Sequence, residues 1–147
     1  MAMPYPDELM DELGLQAPGA KSMTPLDLFA RIESGLPVAA LERLTRKVCP
    51  ADTGFKYRIV PKATLSRRQT RPRARLSAEE SAKLVRLARI WTFAKRVWGG
   101  EDAASRFLFA PHMLLQGQRP IDVALGNEVG AEIVEGILGR LQYGTAA

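Results

Sequence analysis

The feature that most constrains this chain is a run of apolar residues at helical spacing between Ser77 and Gly100. Leu84, Leu87, Trp91, Ala94 and Trp98 recur three or four apart, flanked by Ile90 and Val97, while Arg86, Arg89 and Arg96 fall off that stripe. A period of 3.6 residues puts such positions on one face of an α-helix. Both ends are marked. Ser77-Ala78-Glu79-Glu80 forms a capping box, in which the serine oxygen accepts from the amide three residues on and Glu80 reaches back. Gly99-Gly100 ends the helix, because glycine adopts the left-handed conformation found there at little cost. The spacing predicts one long helix running to Trp98.

The rest of the chain follows the same period. Residues 1–20 are expected to be loosely ordered, with a short helix around Asp7 to Leu13 ended by Pro18-Gly19. Thr24-Pro25-Leu26-Asp27 starts a helix with Leu28, Phe29 and Ile32 as its stripe, and Ser34-Gly35 stops it. Val38, Leu41, Leu44 and Val48 predict a second helix, interrupted by Pro50. Residues 51–58 allow a short helix, Ile59-Val60 a hinge, and Pro61 opens another short helix over 62–69. The arginine-rich stretch 70–75 with Pro72 marks a boundary, giving segments 1–20, 21–75 and 76–147. Beyond the long helix, Glu101 to Phe109 predicts a short helix with Ala104, Phe107 and Leu108 inward. Leu114 and Leu115 are expected to be buried, and Ile121, Val123 and Leu125 to form a short apolar element. Asn127 caps a last helix whose Val129, Ile133, Ile137 and Leu141 face inward, with Val134 and Leu138 beside them. Strand signals are almost absent, so the fold class is all-α.

Composition narrows the partners. At 147 residues, 46% apolar and 25% charged, the chain has the make-up of an ordinary soluble globular protein. No apolar run approaches the roughly 20 residues of a membrane span, and the acidic start lacks the pattern of a signal peptide. With one cysteine, Cys49, no internal disulfide can form, and a cytoplasmic location without membrane contact is expected. The net charge of +5 understates a local asymmetry. Arg58, Lys62, Arg67, Arg68, Arg71, Arg73 and Arg75 lie in a segment with no acidic residue. Such a field suits a polyanion, although a solvated basic linker has the same composition.

No constellation of catalytic residues appears, so no enzyme, metal site or cofactor is expected. His112 is the only histidine, too few for a His-based triad or a Cys/His zinc site. It fits a helix-end role near Pro111, and Cys49 fits a small core or helix-end position. Glu101 and Asp102 sit at a helix start, where negative charge is favoured anyway. Trp91 and Trp98, seven apart, fit core packing better than base stacking. The segment from 51 to 69 has the outline of a helix-turn-helix. Its candidate DNA contacts are Arg58, Lys62, Thr64, Ser66, Arg67, Arg68, Gln69, Arg71 and Arg73. A surface helix with merely solvated arginines is the plain alternative. The ending Leu138-Gly139-Arg140-Leu141-Gln142-Tyr143-Gly144 offers either a short tail that enters another protein's pocket or a frayed terminus.

An ordered set of motifs carries a resemblance. It begins with Arg75-Leu76-Ser77-Ala78-Glu79-Glu80-Ser81 and Arg86-Leu87-Ala88-Arg89, then Ala94 to Trp98 with Gly99-Gly100. Ala104 to Leu108, Pro111, Leu115-x-Gly117-x-x-Pro120-Ile121-Asp122, Gly130 and Leu138-Gly139-Arg140-Leu141-x-Tyr143-Gly144 follow. Over about half its length the chain resembles the Xre/MbcA/ParS antitoxins, which pair with RES-domain toxins. Gly35-Leu36-Pro37 and Thr64-Leu65-Ser66-Arg67-Arg68 match more loosely. Two departures stand out: Phe107-Leu108 replaces the usual Trp-Leu, and Ala51 to Ile59 matches poorly. The resemblance implies an N-terminal helix-turn-helix-like domain that dimerises and binds operator DNA, followed by a small helical toxin-binding domain. It further implies that the tail occludes the NAD pocket of a toxin that consumes NAD or uses it for ADP-ribosylation, with Arg140, Gln142, Tyr143 and Gly144 as toxin-binding residues. A stand-alone DNA-binding regulator whose C-terminal domain only dimerises is the other function the residues allow.

Overall fold

The computed structural model describes residues 6–15 and 22–144. Eight α-helices follow one another among these: α1 (Pro6–Glu12), α2 (Pro25–Ser34), α3 (Val38–Val48), α4 (Lys62–Gln69), α5 (Ala78–Trp98), α6 (Glu101–Phe109), α7 (Pro120–Gly126) and α8 (Glu128–Gln142). Phe55–Arg58 and Met113–Leu115 form single 3-10 turns. The described β-structure is one isolated antiparallel bridge, Pro37 to Arg75, so the all-α expectation holds. The described residues up to Val85 form one compact unit, and those from Arg86 form another. The division falls inside α5 rather than at the Pro72 hinge.

In the first unit, α1 occupies part of the segment expected to be loosely ordered, because Leu9, Met10 and Leu13 are buried. The Pro18-Gly19 stop lies outside the described residues. Thr24 and Asp27 make a reciprocal capping box at 3.1 and 3.0 Å. The Leu28, Phe29 and Ile32 stripe of α2 does not enter the core: none of its residues is buried, and Leu26 and Phe29 are 73% and 58% exposed. Gly35 ends α2 at φ 90°, and a Cβ there would meet the Leu76 carbonyl at 2.3 Å, so only glycine fits. That close approach brings the chain before α5 against Leu36: Leu76 N–H donates to the Leu36 carbonyl at 2.8 Å, and Leu36 N–H donates to Ser81 Oγ at 2.8 Å. The first turns of α5 are therefore bonded to the first unit, which is why the division comes after them.

The Ser77–Glu80 box forms as read, with Glu80 N–H donating to Ser77 Oγ at 3.1 Å and Ser77 N–H to Glu80 Oε1 at 2.8 Å. Further along α5, Leu87, Ile90, Trp91 and Ala94 are buried, as is Phe93 off the stripe. Arg86 and Arg89 do not simply face water. Arg86 Nη2 donates to the Leu125 carbonyl at 3.0 Å, and Arg89 reaches α8 through Glu135 (3.1 Å at both oxygens) and Glu128 (2.5 Å). Trp98, the last residue of α5, is 43% exposed rather than core. Ala104 and Leu108 of α6 are buried, while Phe107 is half-buried. Leu115 is buried but Leu114 is exposed. The apolar element at Ile121 to Leu125 is α7, burying Ile121, Ala124 and Leu125.

The last helix is rotated from its sequence reading. Asn127 caps it, its Oδ1 accepting from Gly130 N–H at 2.9 Å. Gly130, Ala131, Val134, Ile137 and Leu138 are buried, whereas Val129 and Ile133 are 64% and 48% exposed and Leu141 is half-buried. Residues four apart advance about 40° per step around a 3.6-residue helix, so the Val129–Leu141 series cannot stay on one face. Packing on α7 chooses the inward face: a Cβ at Gly130 would meet the Val123 carbonyl at 1.9 Å.

Two glycines of α8 should therefore respond in opposite ways. Gly130→Ala forces backbone apart and is expected to cost about 1–3 kcal/mol or more. A Cβ at Gly136 meets nothing within 4 Å, so Gly136→Ala should stabilise by about 0.5–1 kcal/mol through helix propensity. Thermal melts of both variants, monitored by circular dichroism, check the pair. Equal shifts would mean that α8 does not approach α7 this closely.

Candidate functional site

The basic surface is built on α4. Ile59 and Val60 are buried, Pro61 leads into the helix with extended backbone, and Leu65 is the only buried residue of α4. One apolar anchor on an eight-residue helix leaves the other positions largely outward. Lys62, Ser66 and Arg67 are exposed, and Thr64 is half-buried. Arg58, Arg71 and Arg73 are exposed beyond the helix ends. The Lys62 ammonium lies 5.8 Å from the Tyr57 ring centre, a cation–π distance.

Among the nine candidates, Arg68 and Gln69 are bonded to other helices of the unit. Arg68 is half-buried and forms an ion pair with Glu80, the same carboxylate that accepts from Ser77 N–H. Gln69 Nε2 donates to Glu42 Oε1 at 3.2 Å. Arg75, the last cation of the basic run, donates from Nη1 to the Gly35 carbonyl at 3.0 Å. Burial alone would raise the Glu80 carboxyl. The bond and charge of Arg68, with the Ser77 amide, outweigh it and hold Glu80 below the usual glutamate range. The sequence reading also missed a second set of cations in this unit. Arg43 and Arg46 on α3 are exposed, and with Lys47 they line a recess beside Leu13 and Leu15. Their spacing of three and one along a helix was the available signal.

The second candidate surface is the end of α8. Arg140, Gln142, Tyr143 and Gly144 are all exposed. Tyr143 closes the helix, its N–H bonding back to the Gly139 carbonyl at 3.2 Å. Gly144 turns left-handed at φ 73°, with its N–H on the Leu141 carbonyl at 3.2 Å. Arg140 and Tyr143 stand in line with exposed Val129 and Ile133, at helical offsets of 4, 11 and 14 from Val129, with Gly136 between. An apolar residue pair, a glycine, an arginine and a tyrosine thus share one outward face, a composition typical of the centre of protein–protein interfaces.

The other sequence candidates have local roles. His112 Nδ1 accepts from Leu114 N–H at 3.1 Å and caps the Met113–Leu115 turn. Cys49 is the C-terminal cap residue of α3, its N–H on the Thr45 carbonyl at 3.0 Å. Glu101 and Asp102 are exposed in the first turn of α6. Trp91 is buried completely. Among the described residues no group of three or more His, Cys, Asp or Glu side chains is arranged to hold a metal ion. No described helix is long and apolar enough to cross a membrane.

Residues 27–89 match the family model of the antitoxin Xre-like helix-turn-helix domain. Residues 93–144 match that of the antitoxin Xre/MbcA/ParS C-terminal toxin-binding domain. No curated protein matches the chain. Both matched regions include one of the surfaces above: α4 with its flanking arginines in the first, the end of α8 in the second.

The division of labour on α4 is testable with two neighbouring arginines and one glutamate. Arg67→Ala is expected to weaken DNA binding and to flatten the log–log salt slope by about 0.9 while leaving the melting temperature unchanged. Arg68→Ala should lower the melting temperature. Glu80→Gln should do the same at neutral pH. Because the folded pKa of Glu80 lies below its unfolded value, its contribution is present above the ordinary glutamate value of 4.5 and is lost as pH falls through the folded value. The gap between Glu80→Gln and the parent should close in acid. A gap that is the same at pH 3 and pH 7 would show that the carboxylate is not bonded as described.

Proposed function

Because the chain belongs to the Xre/MbcA/ParS antitoxins, with a helix-turn-helix domain and a toxin-binding domain, we propose that it silences a RES-domain toxin by placing its tail in the toxin's NAD pocket. It does so in the cytoplasm, by binding and not by catalysis. The observation that carries this reading is the end of α8, where the side chains of Arg140, Gln142 and Tyr143 are exposed on the last turn and cap of a packed helix, followed by exposed Gly144. Inhibition by occlusion needs a rigid element to aim a short tail, and it needs no nucleophile, base or metal on the inhibitor. The α5–α8 ion pairs supply rigidity. The planar guanidinium of Arg140 can pair with a carboxylate, or act as a plug, in a pocket shaped for a dinucleotide. Val129 and Ile133, exposed on the same face, supply apolar area for the broader contact.

The first unit has the two other tasks. Arg58, Lys62, Thr64, Ser66, Arg67, Arg71 and Arg73 contact the operator of the chain's own operon, with Arg68 and Gln69 serving α4 from within. A homodimer forms through this unit, and α2 supports that reading: a helix with no buried residue and with Leu26 and Phe29 bare to water gains from a partner. Two copies also present two basic surfaces to the two half-sites of an operator.

Ending the chain after Gln142 separates inhibition from binding. The truncated protein should fold, since Tyr143 and Gly144 are exposed, and should still be pulled down with the toxin. NAD consumption by the toxin, blocked by the full chain, should resume. Complete silencing by the truncated protein would assign occlusion to the helices and not to the tail. Failure of the full chain to copurify with a toxin encoded beside it would favour a stand-alone regulator whose C-terminal unit only dimerises.

A further inference from the structure

Within the second unit, the end of α5, α6 and the loop after it enclose a recess of about 350 Å³ whose walls include Trp98, Phe107, Pro111, His112 and Leu141. The three rings form a continuous wall. Trp98 and Phe107 lie 5.6 Å apart at a 34° tilt, and His112 meets Phe107 edge-on at 5.9 Å. The wall is held in place from behind. The His112 ring accepts from Leu114 N–H, the backbone N–H of His112 donates to the Gln118 carbonyl at 3.0 Å, and the backbone carbonyl of His112 accepts from Gly117 and Leu115 N–H at 3.0 Å. Yet Trp98 keeps 43% of its surface in water, and Met113 and Leu114 extend the apolar surface beyond His112. Arg106 is the only charged residue of the lining and is exposed.

We propose that this recess is an anchor site for the toxin, taking one bulky apolar side chain that has a carboxylate beside it. The proposal rests on the antitoxin reading above and adds a second point of attachment to the tail. Three observations select this occupant. The whole recess lies within the residues that match a toxin-binding domain. Leu141 forms one wall and Tyr143 follows two residues later, so the recess is continuous with the tail. The single rim charge is positive, which favours an acidic neighbour to the inserted side chain. A half-exposed tryptophan with an arginine on the rim of a preformed recess has the composition of an interface hot spot, and its fixed walls spare the ordering entropy of binding.

The two tryptophans make the test direct. In the full chain labelled with 5-fluorotryptophan, one fluorine signal comes from buried Trp91 and one from Trp98. Adding the toxin encoded beside this chain should move the Trp98 signal and remove its sensitivity to solvent deuterium, leaving Trp91 in place. Trp98→Ala should weaken toxin binding by about 30-fold or more, the scale of a hot spot. Arg106→Glu, at an exposed position that leaves folding alone, should weaken it by about tenfold, and Arg106→Lys should restore most of the loss. If the unaltered chain binds the toxin while both variants bind as tightly and the Trp98 signal stays put, the anchor is overturned and the antitoxin reading stands. A Trp98 signal that moves with protein concentration, without toxin, would give the recess to a second copy and also overturn it. If the unaltered chain binds no toxin, the anchor falls with the reading beneath it.

Discussion

Arg89, together with the close approach of Gly130 to α7, fixes which way α8 faces. Its guanidinium reaches from α5 to Glu135 through two bonds of 3.1 Å and to Glu128 through one of 2.5 Å, two carboxylates seven residues apart on one side of α8. A bidentate fork of this kind tolerates little rotation. With α8 held at this angle, Val129, Ile133, Arg140 and Tyr143 are left outside, and the tail departs in a fixed direction. The pairing is not free of cost. Burial pushes the Glu135 carboxyl above its usual range even beside the guanidinium, whereas at Arg89 the two carboxylates outweigh burial and the guanidinium is held more firmly charged. The directions differ because Arg89 has two counter-charges and Glu135 shares one, so the desolvation cost falls on Glu135. Replacing such a pair by apolar residues is often neutral or stabilising, which makes orientation its more convincing contribution here.

Glu80 plays a comparable part in the first unit. It completes the capping box of α5 and takes the charge of Arg68, so one carboxylate both starts the long helix and fixes α4 beside it. The consequence is a sorting of cations. Arg68 and Arg75 are engaged by the chain's own Glu80 carboxylate and Gly35 carbonyl, as the neutral Gln69 is by Glu42, whereas Lys62, Arg67, Arg71 and Arg73 present exposed charge. Electropositive surface for a polyanion and internal order therefore come from the same arginine-rich run. Charge counting along a sequence cannot separate the two, because the distinguishing partners, Glu42 and Glu80, lie on other helices.

What the sequence determined by itself is what local chemistry determines. The helix start at Thr24, the capping box at Ser77, the stops at Gly35 and Gly99, the apolar period of α5 and the all-helical class need only neighbours a few residues away. The ordered motifs from Arg75 to Gly144 were enough to indicate the family. The tertiary structure decided the faces. Val129 and Ile133 turned outward because an i, i+4 series drifts around a helix, and because Gly130 against the Val123 carbonyl and Glu135 against Arg89 select a different stripe. Phe29 and Leu26 stayed in water because, among the described residues, nothing packs over that side of α2, which its spacing alone could not reveal. Trp98 ended half-exposed because a helix stripe can outrun the core that buries its first turns. In each case the periodicity names the residues that could be buried, and only the packing of distant segments fixes which of them are left for a partner.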